Sequence, residues 1–328
     1  MGTPISIELQ QEVVMGGGVG GGGVSTVVAV MACTAMALFY VGILYAPTLV
    51  LRLPPPSSYK SFLIRRFICA AISSVVSLFA SALILPIRWH APDVFSAYGM
   101  RFDHLCQALV LPLSLTSLMY AGSFIQKLLH LLDSWVEHRN RGRNVTIDCI
   151  IKIPEKFINW IFSMSFNMSA WRNYIVAPIT EELVFRACMV PLLLCGGFRT
   201  YMAVILCPIF FSLAHLHHIL EHYFQRNCSL AKASMAVGFQ LGYTVIFGSY
   251  ATFLFVRTGH LIAPLVAHIF CNYMGLPLIF SRMSGIVSLA FIAGALGFFW
   301  LIFPLTSPHL YNDTLHSCKC WHRYCTWS

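Results

Sequence analysis

Charge is what this 328-residue chain has least of: 10% of its residues are Asp, Glu, Lys or Arg, against 58% hydrophobic. Soluble globular chains carry about 25% charged residues, so an ordinary cytosolic enzyme is excluded. The same figures exclude intrinsic disorder, which needs low hydrophobicity and high charge. Acids are scarcer than bases, 12 against 21, for a formal net charge of +9. The bases lie between apolar blocks rather than along a soluble face, so the excess is a membrane-topology signal and not a nucleic-acid footprint. No Lys or Arg precedes Arg52. A cleaved signal peptide needs a basic start, so the first apolar block reads as a retained span. The 12 cysteines form no CxxC pair and no zinc-finger spacing with histidine. They read as small buried hydrophobes of membrane packing. HExxH is absent, and so is any internal repeat.

What is present is a series of apolar blocks, each long enough to cross about 30 Å of hydrocarbon. They run near 24–48, 67–87, 105–125, 173–196, 200–220, 233–256, 260–280 and 284–305. The expected fold is an all-α polytopic membrane protein of about eight transmembrane helices, with a polar cavity open to the cytosol. The expected layout is a flexible Gly-rich leader (1–23), a membrane domain (24–306, with its core at 171–275) and a short tail (307–328). Residues 157–170 are too short to span and are placed at the interface. With the N-terminus outside, the inside loops hold Arg52, Lys60, Arg65, Arg66, Lys127, Arg139, Arg141, Arg143, Lys152, Lys156, Arg172, Arg226, Lys232 and Arg282. The outside segments hold Arg88, Arg101, Arg199, Arg257, Lys319 and Arg323. This imbalance puts both termini on the lumenal or extracellular side. Of the sequons at Asn144, Asn167, Asn227 and Asn312, that topology leaves Asn312 as the glycan site.

Two acids break the pattern. Glu181 and Glu182 sit side by side inside the fourth block, and Arg186 lies comparably deep. A charge at mid-bilayer costs about 2.5–3.5 kcal/mol on insertion scales, so such residues mark function by default. Glu182 and Arg186 are i and i+4 and can pair on one helix face, a bond that could be purely structural. That pairing cannot absorb Glu181, which points about 100° away around the helix. Glu181 is therefore the carboxylate free to act as a general base, with Glu182 and Arg186 as support. The fifth block ends Phe210-Phe-Ser-Leu-Ala-His215-Leu-His-His218, and the seventh reads Leu265-Val-Ala-His268-Ile-Phe-Cys-Asn272. His268 and Asn272 are also i and i+4; as paired donors they suit an oxyanion, although an interhelical hydrogen bond would need the same pair. His217, His218 and His222 fall at a span end and read as interfacial.

A carboxylate base, a histidine and two donors suit water attack on a carbonyl without a covalent intermediate. Cys271 lies between His268 and Asn272 but on another helix face. A zinc site on Glu181, His215 and His268 is the metal alternative. A proton- or ion-coupled transporter using the same acids is the alternative from another class.

These residues also carry a resemblance. Glu181-Glu182-Leu-Val-Phe-Arg186 resembles the EExxxR motif of the CaaX-protease and bacteriocin-processing family, Phe211 to His215 its FxxxH, and His268 to Asn272 its HxxxN/D. The text around them is similar to that of the eukaryotic type II CaaX prenyl endopeptidases. The resemblance implies a glutamyl protease of the endoplasmic reticulum membrane that removes the last three residues of farnesylated or geranylgeranylated CaaX proteins, such as Ras-type small GTPases. It further implies water activation by Glu181 and His215, an oxyanion held by His268 and Asn272, a site shaped by Glu182 and Arg186, and no metal or other cofactor. A non-catalytic family member is the remaining alternative. The chain itself ends Cys325-Thr-Trp-Ser328, formally a C-a-a-X box. The expected lumenal tail makes it a coincidence.

Overall fold

A computed structural model of the chain describes residues 24–86, 91–140, 158–159, 162–219, 223, 229–276 and 285–311. The leader, the sequons at Asn144, Asn227 and Asn312, His222 and the C-terminal box lie outside the described residues. Helices account for nearly all of what is described, and no strand occurs among these residues. The helices are α1 (Thr26–Gly42), α2 (Tyr59–Ile84), α3 (Leu105–Leu118), α4 (Ala121–Asn140), the segmented α5 (168–195), α6 (Thr200–Ala214), α7 (Leu230–Thr258), α8 (Ile262–Met274) and α9 (Gly285–Leu305). A short helix, Ala91–Ala97, lies between α2 and α3.

Helix boundaries follow local chemistry. Ser25, Ser58 and Ser229 cap α1, α2 and α7 by accepting a backbone N–H, which satisfies a donor that the first helical turn cannot. Asn167 does the same for α5, so this sequon asparagine has a structural task. α7 and α8 stop at Gly259 and Gly275, both at positive φ, where a side chain would be strained.

The expectation of an all-α polytopic membrane protein is met. Among the described residues five single helices are long and apolar enough to cross: Thr26–Leu49, Tyr59–Ile84, Thr200–His217, Leu230–Thr258 and Gly285–Leu305. A sixth is added if Leu105–Leu118 and Ala121–Glu137, bent by 75°, form one span. That bend interrupts the block expected at 105–125. The block at 260–280 yields a helix of 13 residues, about 20 Å long and short of a full crossing. The block at 173–196 is helical but divided into α and π segments. Of the interfacial segment, residues 162–166 are helical and present Phe162 and Phe166 outward.

α5 is the core of the molecule. From Val184 to Leu193 every apolar side chain is fully buried, packed by α1, α2, α6 and α7. A helix apolar on every side must be enclosed by protein or lipid, and here protein encloses it. α2 turns a row of small polar residues, Ser73, Ser74, Ser77 and Ser81, into the interior, which allows close approach. α6 and α7 meet most intimately where Gly248 faces Pro208; a Cβ on Gly248 would lie 2.9 Å from the proline Cβ. α9 does the opposite of α5 and presents Ile286, Leu289, Ile292, Leu296, Phe299, Trp300 and Phe303 outward.

Candidate active site

The irregularity of α5 has a covalent origin. Its two π segments, Arg172–Val176 and Glu182–Cys188, each run into a proline, Pro178 and Pro191. A proline donates no N–H and its ring crowds the carbonyl four residues back, so the preceding turn widens. The widened turns bracket Glu181 and open the second segment at Glu182.

Glu182 is fully buried, as is Arg186, and Arg186 Nη1 donates to Glu182 Oε1 at 3.1 Å. The same oxygen accepts from His268 Nδ1 on α8 at 2.7 Å. His268 therefore carries a proton on Nδ1, and its Nε2 turns to Glu181, whose Oε2 lies 3.7 Å away. The two glutamates grip one imidazole from its two nitrogens. The anticipated Glu182–Arg186 pair is present, but its main partner across the fold, His268, was paired in the sequence only with Asn272. Among the described residues Glu182 Oε2, Arg186 Nε and Arg186 Nη2 have no hydrogen-bond partner. Buried polar atoms left this way are rare and concentrate at functional sites.

His215 opens the short 3-10 turn that ends α6. Its Nδ1 bonds the Phe211 carbonyl at 2.8 Å. A carbonyl only accepts, so Nδ1 holds the proton of the neutral ring and Nε2 keeps its lone pair free. His215 reaches the other groups through the Phe211 ring, whose centroid lies 4.7 Å from that of His215 and 6.4 Å from that of His268. Phe211 also stacks under the Arg186 guanidinium, 4.7 Å from Cζ to the ring centroid. Phe211 opens the FxxxH match in the sequence, where it carried no role of its own. Phe247 of α7, 5.1 Å from His268 ring to ring, falls in no such match.

Asn272 lies one turn beyond His268 at the exposed end of α8, where its Nδ2 donates to the Asn173 carbonyl at 2.8 Å. One of its two N–H groups is thereby spent on joining α8 to the first π segment. Tyr40 and Thr180 bond each other at 3.0 Å next to Glu181. Cys271 is buried beside Tyr120, Phe247 and Ala251, on a different face from Asn272. His217 and His218 stack at 4.1 Å, and His218 comes within 5.7 Å of His215. Among the described residues no three His, Cys, Asp or Glu side chains are gathered as metal ligands would be. The arrangement joins a carboxylate, an imidazole that can donate, a second imidazole that can accept, and a buried charge pair beneath them.

Residues 163–274 match the family model described as Type II CAAX prenyl endopeptidase Rce1-like. The chain is 56% identical to CAAX prenyl protease 2 of Arabidopsis thaliana, over 94% of this chain and 99% of that protein. It is 34% identical to CAAX prenyl protease 2 of Homo sapiens, over 89% of this chain and 85% of that protein. To CAAX prenyl protease 2 of Caenorhabditis elegans it is 35% identical, over 68% and 74%. No solved structure matches the chain.

Proposed function

The chain belongs to the type II CAAX prenyl endopeptidase family and is a multi-pass membrane peptidase, and from that premise we propose that it removes the C-terminal aaX tripeptide of farnesylated or geranylgeranylated CaaX proteins, Ras-type GTPases among them. Glu181 and His215 activate the attacking water. The observation that carries this reading is the shared grip of Glu181 and Glu182 on His268, at 3.7 and 2.7 Å. It supplies a base and an adjacent donor in one buried place.

In the proposed reaction the water oxygen forms a bond to the carbonyl carbon of the prenylcysteine, and a water proton passes to Glu181. His215 Nε2, left free by the bond to Phe211, shares that proton transfer. The oxygen that becomes negative is met by His268, which donates from Nε2 when both nitrogens are protonated, and by the second N–H of Asn272. Glu182 and Arg186 favour the charged imidazole, because Glu182 accepts its other proton. Collapse breaks the C–N bond, the held proton goes to the leaving nitrogen, and a free tripeptide departs. A donor aimed at such an oxygen is typically worth about 2.7–4 kcal/mol. No metal enters this scheme.

We further assign the protein to the endoplasmic reticulum membrane, with the site open to the cytosol. The Lys and Arg residues of the loops on the Glu181 side support that orientation.

The test is direct. Purified protein treated with a strong chelator is given a farnesylated peptide ending in C-a-a-X, and the products are read by mass. The expected result is an intact tripeptide, absent with Glu181→Ala. Cleavage that chelator abolishes and zinc restores would replace the mechanism with a metal site. No cleavage by the wild type would overturn the assignment.

A further inference from the structure

An enzyme that always releases three residues must sense where its substrate ends, and the chemical mark of that end is a carboxylate. Leaving that charge unpaired at a membrane boundary is costly, so a cation at a fixed distance from the reacting carbonyl is the simplest sensor. The rim of the site offers one. Lys127 stands on α4, just past the 75° bend, at the end of α8 that carries Asn272. Its Nζ lies 6.0 Å from the Tyr273 ring centroid and 3.9 Å from Met274 Sδ. Among the described residues it pairs with no acid, and its side chain is exposed. Tyr120, at the bend, donates to the Gly275 carbonyl at 2.8 Å and so holds α4 and the end of α8 in register. Tyr174 faces Tyr273 at 6.1 Å, giving the rim two aromatic walls. Arg172, a further cation near Asn272, donates its Nε to Asn173 Oδ1 at 2.9 Å.

The spacing fits the task. Met274 lies six residues beyond His268 on α8, about 9 Å along the axis. Three extended residues span about 10–11 Å. A peptide whose scissile carbonyl meets His268 therefore brings its terminus level with the Lys127 ammonium.

We propose that Lys127 binds the free C-terminal carboxylate of the substrate and thereby sets the length of the released peptide at three residues. This rests on the endopeptidase reading. The experiment compares kcat/KM for one farnesylated CaaX peptide as the free acid and as the C-terminal amide, in wild type, Lys127→Gln and Lys127→Arg. The wild type is expected to prefer the acid by about tenfold, the size of one charge-assisted hydrogen bond. In K127Q the preference should collapse to near unity, and in K127R it should return. Equal cleavage of acid and amide by the wild type overturns the anchor without any variant, and so does an undiminished preference in K127Q. Failure of the wild type to cleave either peptide overturns the endopeptidase reading itself and is distinguishable from both.

Discussion

Two histidines eight residues apart, His260 and His268, are both buried, and each faces a carboxylate and an arginine. At His260 the carboxylate is already satisfied: Arg101 binds Asp103 with two parallel bonds, Nε to Oδ1 at 3.1 Å and Nη2 to Oδ2 at 2.7 Å. The ring stands 4.0 Å from Asp103 and bonds instead to the Tyr311 carbonyl at 3.1 Å. That network ties the loop before α3, the α7–α8 connection and the residues after α9 into one end of the bundle. At His268 the ring bonds directly to Glu182, faces Glu181, and sits above an ion pair with three polar atoms unpartnered. His260 Nδ1 is also without a hydrogen-bond partner among the described residues, but a network whose carboxylate is already taken up by its arginine holds the fold together. One that keeps donors and acceptors in reserve has them available for a substrate.

The largest effects should come from attacking the reserve. Glu181→Ala, His215→Ala and His268→Ala are expected to abolish tripeptide release, measured by mass spectrometry of the products, while His260→Gln should lower thermal stability and leave the rate per folded molecule intact. Equal loss of activity at His260 would break the comparison. Next, Glu182→Leu leaves Arg186 buried without its counter-ion, and unpairing a buried charge costs about 3–5 kcal/mol. Its melting temperature in detergent should fall accordingly. Asn272→Ala should lower kcat by about 10²-fold with KM little changed, because the proposed reaction uses its donor in the transition state.

The smallest effect is on pH. Burial pushes His260 below the usual histidine range, with the Tyr311 carbonyl and Asp103 countering only in part, and Arg101 and His104 adding to the depression. A neutral ring is therefore the folded form. Its contribution is present above about pH 6.5 and fades as pH falls below that. Asp103 has burial raising it but is held below the usual carboxylate range by Arg101, so it titrates far lower and does not share this window. Thermal stability should decline between pH 7 and 5.5, less steeply in His260→Gln. Cys271→Ala, remote from the glutamates in its aromatic cluster, should keep nearly full activity.

Much of this contrast was legible from residues alone. Glu181, Glu182 and Arg186 stand out because nothing else charged lies so deep in an apolar block, and the i, i+4 spacing of Glu182 and Arg186 announces their pair. His260 drew no notice, since its partners Asp103 and Tyr311 are distant in sequence. Phe247 was invisible for a related reason: in a chain with 25 phenylalanines, an aromatic in an apolar run says nothing about which histidine it touches. Hydropathy marks apolar blocks but is blind to how each block is folded. It does not register the 75° bend between Leu118 and Ala121, nor that the α8 helix stops at Gly275.

The sequence by itself determined that the chain lives in a bilayer, that two glutamates and two histidines stand within three separate apolar blocks, and which family it resembles. Composition and local spacing suffice for that, because burying a charge in hydrocarbon is expensive wherever the chain goes. Only the tertiary structure decided which nitrogen of each histidine holds the proton, that Glu182 and not Asn272 is the principal partner of His268, and that Lys127 stands at the rim of the site. Those facts depend on distances between helices, and such distances are set by packing: the widened turns before Pro178 and Pro191, the bend held by Tyr120, and the close approach at Gly248.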